Sequence, residues 1–169
     1  MAFLLFVKPQ EVMTDTIIGG NVDIDKLKPI IKDVQTKTIE ELLGTELYDK
    51  IVTDIESDSL TGLYLKMFED YVVPITTKQS AAAYILVSPY VVGNGGFFKR
   101  TYNGVETTDT KEVERVSQIY SSKAQTDIIR FQKWIDKNPL PEYKTYQDEV
   151  NASKNINLNN GWYFGNKQR

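Results

Sequence analysis

Three carboxylates at alternating positions, Asp54, Glu56 and Asp58, form one of the densest groups of potential metal ligands in the chain, and Asp109, Glu112 and Glu114 form another. Oxygen-rich clusters of this kind suit hard cations such as calcium or magnesium. Spacing argues against both. Alternate residues on a helix diverge, and the first cluster lacks calcium-loop spacing; the second falls at a helix start, where negative charge complements the helix dipole. Glu40 and Glu41 read as a solvated helix face. Lys99 and Arg100 lie beside Phe97, Phe98 and Tyr102, a mixture of cations and rings that can bind single-stranded nucleic acid. Two cations are few for that purpose, and rings in a hairpin more often pack on their own domain. The run Gly93-Asn94-Gly95-Gly96 lacks the Gly-Lys-Ser/Thr end of a phosphate-binding loop. Ser122 and Lys123 are helix neighbours that point in different directions, so they make a poor dyad. Asn151-Ala152-Ser153 fits the glycosylation pattern without a secretory context.

The chain has no His and no Cys. That removes thiolate nucleophiles, Cys/His zinc sites, Ser-His-Asp triads, imidazole proton shuttles and disulfides. No catalytic residue, metal site or cofactor is expected, and the protein reads as a non-enzyme. With 20 Lys+Arg against 23 Asp+Glu, the formal net charge of -3 argues against whole-surface nucleic-acid binding.

The elements that position these residues are mainly helical. Residues 1–145 read as one domain, a bundle of four to five helices, followed by an Asn-rich tail over 146–169. Phe3, Leu4, Leu5 and Phe6 are expected to form an extended N-terminal arm, because the apolar run stops at Lys8-Pro9 and is too short for an export signal. No stretch reaches the length needed to cross a bilayer, and a soluble protein is expected. The first clear helix is expected after Asp25 as N-cap, with Pro29 at the edge of its first turn and Gly44 as its stop. Thr45 is expected to cap the next helix, and a third is expected from about Leu60. Pro74 should kink or break that one before a central helix over 75–92, in which the small run Ala81-Ala82-Ala83 permits close approach. A β-hairpin is expected over 97–108, turning at Asn103-Gly104. The longest helix follows, capped by Asp109 or Thr110, with Val113, Val116, Tyr120, Ala124, Ile128, Phe131 and Ile135 as its inner stripe. Trp162, Tyr163 and Phe164 cluster on the tail, where rings suit anchoring in a partner's pocket.

An ordered set of segments resembles a known family. These are Ile18-Gly-Gly-Asn-Val-Asp-Ile-Asp-Lys-Leu27, Leu43-Gly-Thr-Glu-Leu-Tyr48, Pro89 to Gly96, Ala124 to Trp134, Asn138-Pro139 and Pro141-Glu-Tyr143. Together they resemble the head-tail connector, or adaptor, proteins of tailed bacteriophages, of the neck-ring type in Bacteroides and crAss-like phages. The resemblance spans most of residues 3–145. It implies a structural virion protein in a homo-oligomeric ring, a dodecamer in most members, that joins the portal vertex to the tail and continues the DNA channel. Its partners would then be further copies of itself, the portal protein and other neck or tail proteins. Genomic double-stranded DNA would pass through without sequence-specific binding, and no membrane would be involved. The location would be the virion neck, with the host cytoplasm during assembly. On this reading three sets of residues make the contacts: Phe97, Phe98, Lys99, Arg100, Tyr102, Asn103 and Gly104; Trp162, Tyr163 and Phe164; and Phe3, Leu4, Leu5 and Phe6. Two alternatives stay open, a monomeric helical protein-binding module and a carboxylate-dependent metal enzyme.

Overall fold

A computed structural model describes residues 3–19, 22–93, 96–99 and 109–143 of the chain, and for 91–93 and 96–99 it describes the backbone. The fold is mainly helical. A short helix α1 (Pro9–Asp15) leads into α2 (Ile24–Val34), which runs through one π-helical turn (Gln35–Ile39) directly into α3 (Glu40–Leu43). Then come α4 (Thr45–Glu56) and α5 (Gly62–Met67), the latter continuing through a second π-helical turn (Phe68–Val72) into α6 (Val73–Val87). Two short strands, β1 (Tyr90–Gly93) and β2 (Gly96–Lys99), precede α7 (Thr110–Ile135). At 26 residues α7 is about 39 Å long, enough to run the length of the bundle.

Several helix boundaries differ from expectation for local reasons. Asp23, not Asp25, caps α2, and its carboxylate accepts the Asp25 backbone N–H at 3.1 Å. Two aspartates two residues apart carry the same capping signal, so local sequence alone does not choose between them. Pro29 therefore sits inside α2, where the ring forfeits the bond to the Asp25 carbonyl. Gly44 ends α3 as expected and also takes the N-cap position of α4 in place of Thr45. Its φ of 77° turns the chain between two helices at little cost for a residue without Cβ. The third helix begins at Gly62, after Thr61.

Pro74 neither breaks nor ends its helix. The wide turn just before it hands the Val73 N–H to the Phe68 carbonyl, five residues back, and Pro74 then stands in the first turn of α6, where a missing N–H is tolerated. The central-helix reading holds, with the helix closing at Val87. Fourteen of the fifteen α6 residues are uncharged, and Ile75, Thr76, Thr77, Ser80, Ala81, Ala82 and Tyr84 are buried. Such a helix is stable only when other elements cover it. Helices α1, α2 and α7 do so. Ala81 and Ala82, with no side chain beyond Cβ, let α7 come close enough for the Ser117 hydroxyl to donate to the Ala82 carbonyl at 2.9 Å.

The hairpin expected over 97–108 is not the one found. Phe97 and Phe98 form the returning strand: β1 and β2 pair antiparallel with Val92 opposite Phe97 and Val91 opposite Phe98, and the ladder closes at Gly93 opposite Gly96. The chain contains two Asn-Gly pairs, at 94–95 and 103–104, and both satisfy the same turn rule. Pairing occurs across the first. Positions 100–108, including Arg100, Tyr102, Asn103 and Gly104, lie outside the described residues, as does the tail from 144 onward.

The N-terminal arm is a second correction. Phe6 is 6% exposed and Val7 fully buried, and Leu4 and Leu5 pack against the same core. Pro9 then starts α1 instead of only ending the apolar run, with the Lys8 N–H held by the Glu11 carboxylate at 3.0 Å. The arm is held mainly by Gln35, a fully buried side chain in the first π-helical turn. Its Oε1 accepts the Phe6 N–H at 2.9 Å, while its Nε2 donates to the Leu4 carbonyl at 3.1 Å and to the Tyr48 hydroxyl at 3.0 Å. One amide thus pairs with the arm much as a neighbouring strand would, and the Phe6 ring rests 5.3 Å from the rings of both Tyr48 and Phe68. Replacing Gln35 with Leu leaves three polar groups without that partner. The expected loss is about 3 kcal/mol in urea unfolding, with faster amide exchange at Phe6; an unchanged midpoint would show that the amide does not hold the arm.

Candidate functional site

The charged constellation that the tertiary structure assembles was not singled out in the sequence. Asp127, 4% exposed, lies on the inner stripe of α7. Its Oδ2 accepts from Lys78 Nζ on α6, and its Oδ1 accepts from Arg130 Nη1 at 2.9 Å. The Arg130 guanidinium lies 5.8 Å above the Tyr71 ring, which in turn meets Trp134 at 5.5 Å and Phe131 at 6.1 Å. Both carboxylate oxygens are engaged by cations, so the group works as a clamp between the two longest-packed helices. A signal did exist: Asp127 falls among Ala124, Ile128 and Phe131, and Lys78 is the single charge of α6. Replacing Asp127 with Ala leaves Lys78 half-buried beside an empty partner position, and thermal or urea unfolding is expected to show a loss of about 3 kcal/mol. A loss below about 1 kcal/mol would mean that the clamp is solvated.

The acidic groups weighed in the sequence do not converge. Asp54 pairs with Lys50 at 3.0 Å, and the Lys50 ammonium also sits 4.7 Å over the Tyr64 ring. Asp58, at φ 53°, belongs to the turn that ends α4. Asp109 caps α7 through its carbonyl, which accepts the Glu112 and Val113 N–H groups. Among the described residues no three His, Cys, Asp or Glu side chains come together as a metal site. Lys123 lies 5.1 Å over the Tyr120 ring, and the Tyr120 hydroxyl accepts the Ile17 N–H at 2.9 Å, tying the connection after α1 to α7. Thr77 and Ser80 on α6 bury hydroxyls that no group among the described residues pairs.

Of the residues expected to contact partners, the structure brings few to the surface. Phe3 remains exposed, with the Lys32 ammonium 4.7 Å over its ring, whereas Leu4, Leu5 and Phe6 belong to this domain's own core. Phe97, Phe98 and Lys99 are placed in β2. Trp162, Tyr163 and Phe164 lie outside the described residues.

The last described turn closes over the bundle. Tyr143 meets Phe131 edge-on at 5.8 Å, and the Tyr64 hydroxyl donates to Glu142 Oε2 at 2.7 Å. That hydrogen bond to the carboxylate, aided by desolvation and by the negative charge itself, pushes the Tyr64 phenol up to about 12. A phenol raised in the folded state adds stability that is complete below pH 10 and is lost as pH climbs through 12. In a spectrophotometric titration at 295 nm one tyrosine is expected to ionise near 12, and Tyr64→Phe should abolish that step. Persistence of the step in the variant would assign it elsewhere.

Residues 39–155 match the family model described as a family of unknown function, DUF6712. The chain belongs to that family. The DUF6712 match begins at Ile39, in the first π-helical turn, and takes in α3 to α7; the arm, α1 and α2 precede it. No curated protein and no solved structure matches the chain. No helix among the described residues is long and apolar enough to cross a membrane.

Proposed function

We propose that this protein is a structural subunit of a phage neck, forming a ring that joins the portal vertex to the tail and continues the DNA channel. The observation that carries the reading is the ordered set of connector-like segments, and the fold gives those residues structural reasons to be what they are. Gly44 makes the α3–α4 corner at positive φ, and Leu47 and Tyr48 behind it are buried. Phe131 and Trp134, inside the Ala124 to Trp134 segment, anchor the end of α7, and Tyr143 packs back on Phe131.

In this reading the segment 97–108 between α6 and α7, with Phe97, Phe98, Lys99, Arg100, Tyr102, Asn103 and Gly104, contacts a neighbouring subunit or lines the channel. The tail with Trp162, Tyr163 and Phe164 reaches the portal or another neck protein. Phe3 is the arm residue left to share in such contacts. Copies in a closed ring meet through heterologous surfaces, each subunit offering two different faces. The test is native mass spectrometry with negative-stain imaging across a concentration series, alone and after mixing with the cognate portal ring. Closed rings, free or seated on the portal, are the expected outcome. A chain that stays monomeric in both conditions would overturn the ring and favour a monomeric binding module.

A further inference from the structure

The unpaired hydroxyls of Thr77 and Ser80 lie on α6 at residues 3% and 0% exposed. Their neighbour Thr76 returns its hydroxyl proton to the Val72 carbonyl at 2.7 Å, and Ser117 finds the Ala82 carbonyl across the helix contact. Helix geometry sets Thr77 about 100° and Ser80 about 160° around α6 from Lys78, both on the same side. Lys78 reaches Asp127 on α7. The two hydroxyls therefore face away from that contact, toward α1 and α2, the other helices that cover α6. Each forfeits under that cover the hydrogen bond that water would give it, which weakens the closed arrangement.

The part of the chain lying over them is held by side-chain latches. The Gln35 amide holds the arm at Phe6 and Leu4, and the Tyr120 hydroxyl holds the Ile17 N–H. On α2 the Lys28–Asp25 ion pair stays within the helix, whereas the Lys78–Asp127 pair binds α6 to α7. Helix α2 leaves through the π-helical turn Gln35–Ile39, where the regular ladder is already interrupted. The family match begins at the last residue of that turn. From there onward Leu43, Leu47, Ile51, Met67, Ile75 and Phe131 supply buried apolar residues of their own.

We infer that the arm, α1 and α2 form a strap that opens from α6 as one cooperative unit while α3 to α7 stay folded. Opening hydrates Thr77 and Ser80, which offsets part of the lost apolar burial. It also returns Leu4, Leu5 and Phe6 to solvent as the extended arm expected from the sequence. The same residues thus serve as core when the strap is closed and as a free arm when it is open. The device acts within one chain and does not depend on a ring.

Native-state hydrogen exchange on the full-length chain, read by mass spectrometry at peptide resolution in the regime that reports opening equilibria, tests the strap. Amides of α1 and α2 are expected to exchange at one common rate, faster than those in the middle of α7. Thr77→Val and Ser80→Ala each remove one unpaired hydroxyl, and each should slow the α1–α2 rate by about tenfold. Asp127→Ala weakens a contact that opening leaves intact, so it should speed exchange in α7 and leave the α1–α2 rate unchanged. Should that variant fail to fold, the two hydroxyl variants decide the matter alone. One rate shared by α1, α2 and α7 in every folded variant overturns the strap, because the chain would then open only as a whole. An α1–α2 rate that neither hydroxyl variant slows also overturns it, because those helices would then open without uncovering α6.

Discussion

Covering the nearly uncharged helix α6 is the constraint to which the other elements answer. A helix with one charge in fifteen residues gains by being covered, so α1, α2 and α7 pack against it and leave Leu86 and Val87 at its C-terminal end exposed. Its small residues set how closely they approach. The single charge, Lys78, cannot be buried unpaired at acceptable cost, and the answer is Asp127 on α7, itself held by Arg130. The length of α7 follows from the same demand, because the helix must cover α6 from Ala82 down to Lys78 and beyond.

The two π-helical turns are the local adjustments that let this packing close. The turn before α6 removes the conflict between Pro74 and a continuous helix, so that 62–87 runs through without a break. The turn after α2 aims Gln35 inward at the N-terminal arm. Wide turns of this type cost hydrogen-bond quality and persist where packing repays them. Here one admits a proline and the other a buried amide that stands in for a missing strand.

The charge distribution on the outer helices has a different origin from the core. Around α2 the exposed charges pair with one another along the helix, Lys28 with Asp25 at 3.2 Å and Lys37 with Asp33 at 2.7 Å. The exposed middle of α7 carries Gln118, Ser121, Ser122, Gln125 and Thr126, whose amides and hydroxyls hydrogen-bond to solvent without carrying charge.

The helical class, the long α7 and its inner stripe were legible from periodicity alone, because apolar spacing at three and four residues reports which face is buried whatever covers it. The Gly44 corner was legible too, since positive φ singles out glycine. The absence of His and Cys narrowed the chemistry before any coordinate was needed. Three things were decided only by the tertiary structure. Which strand Phe97 and Phe98 would join was not legible among two locally equivalent Asn-Gly signals, and the ladder sets them opposite Val92 and Val91. Whether Phe6 projects or packs depended on a socket built from Gln35, Tyr48 and Phe68, residues 29 to 62 positions away. The Lys78–Asp127 clamp joins residues 49 apart in sequence. Local propensity acts over a few residues and can specify a turn or a helix face; long-range pairing is settled by the geometry of helices brought together around α6.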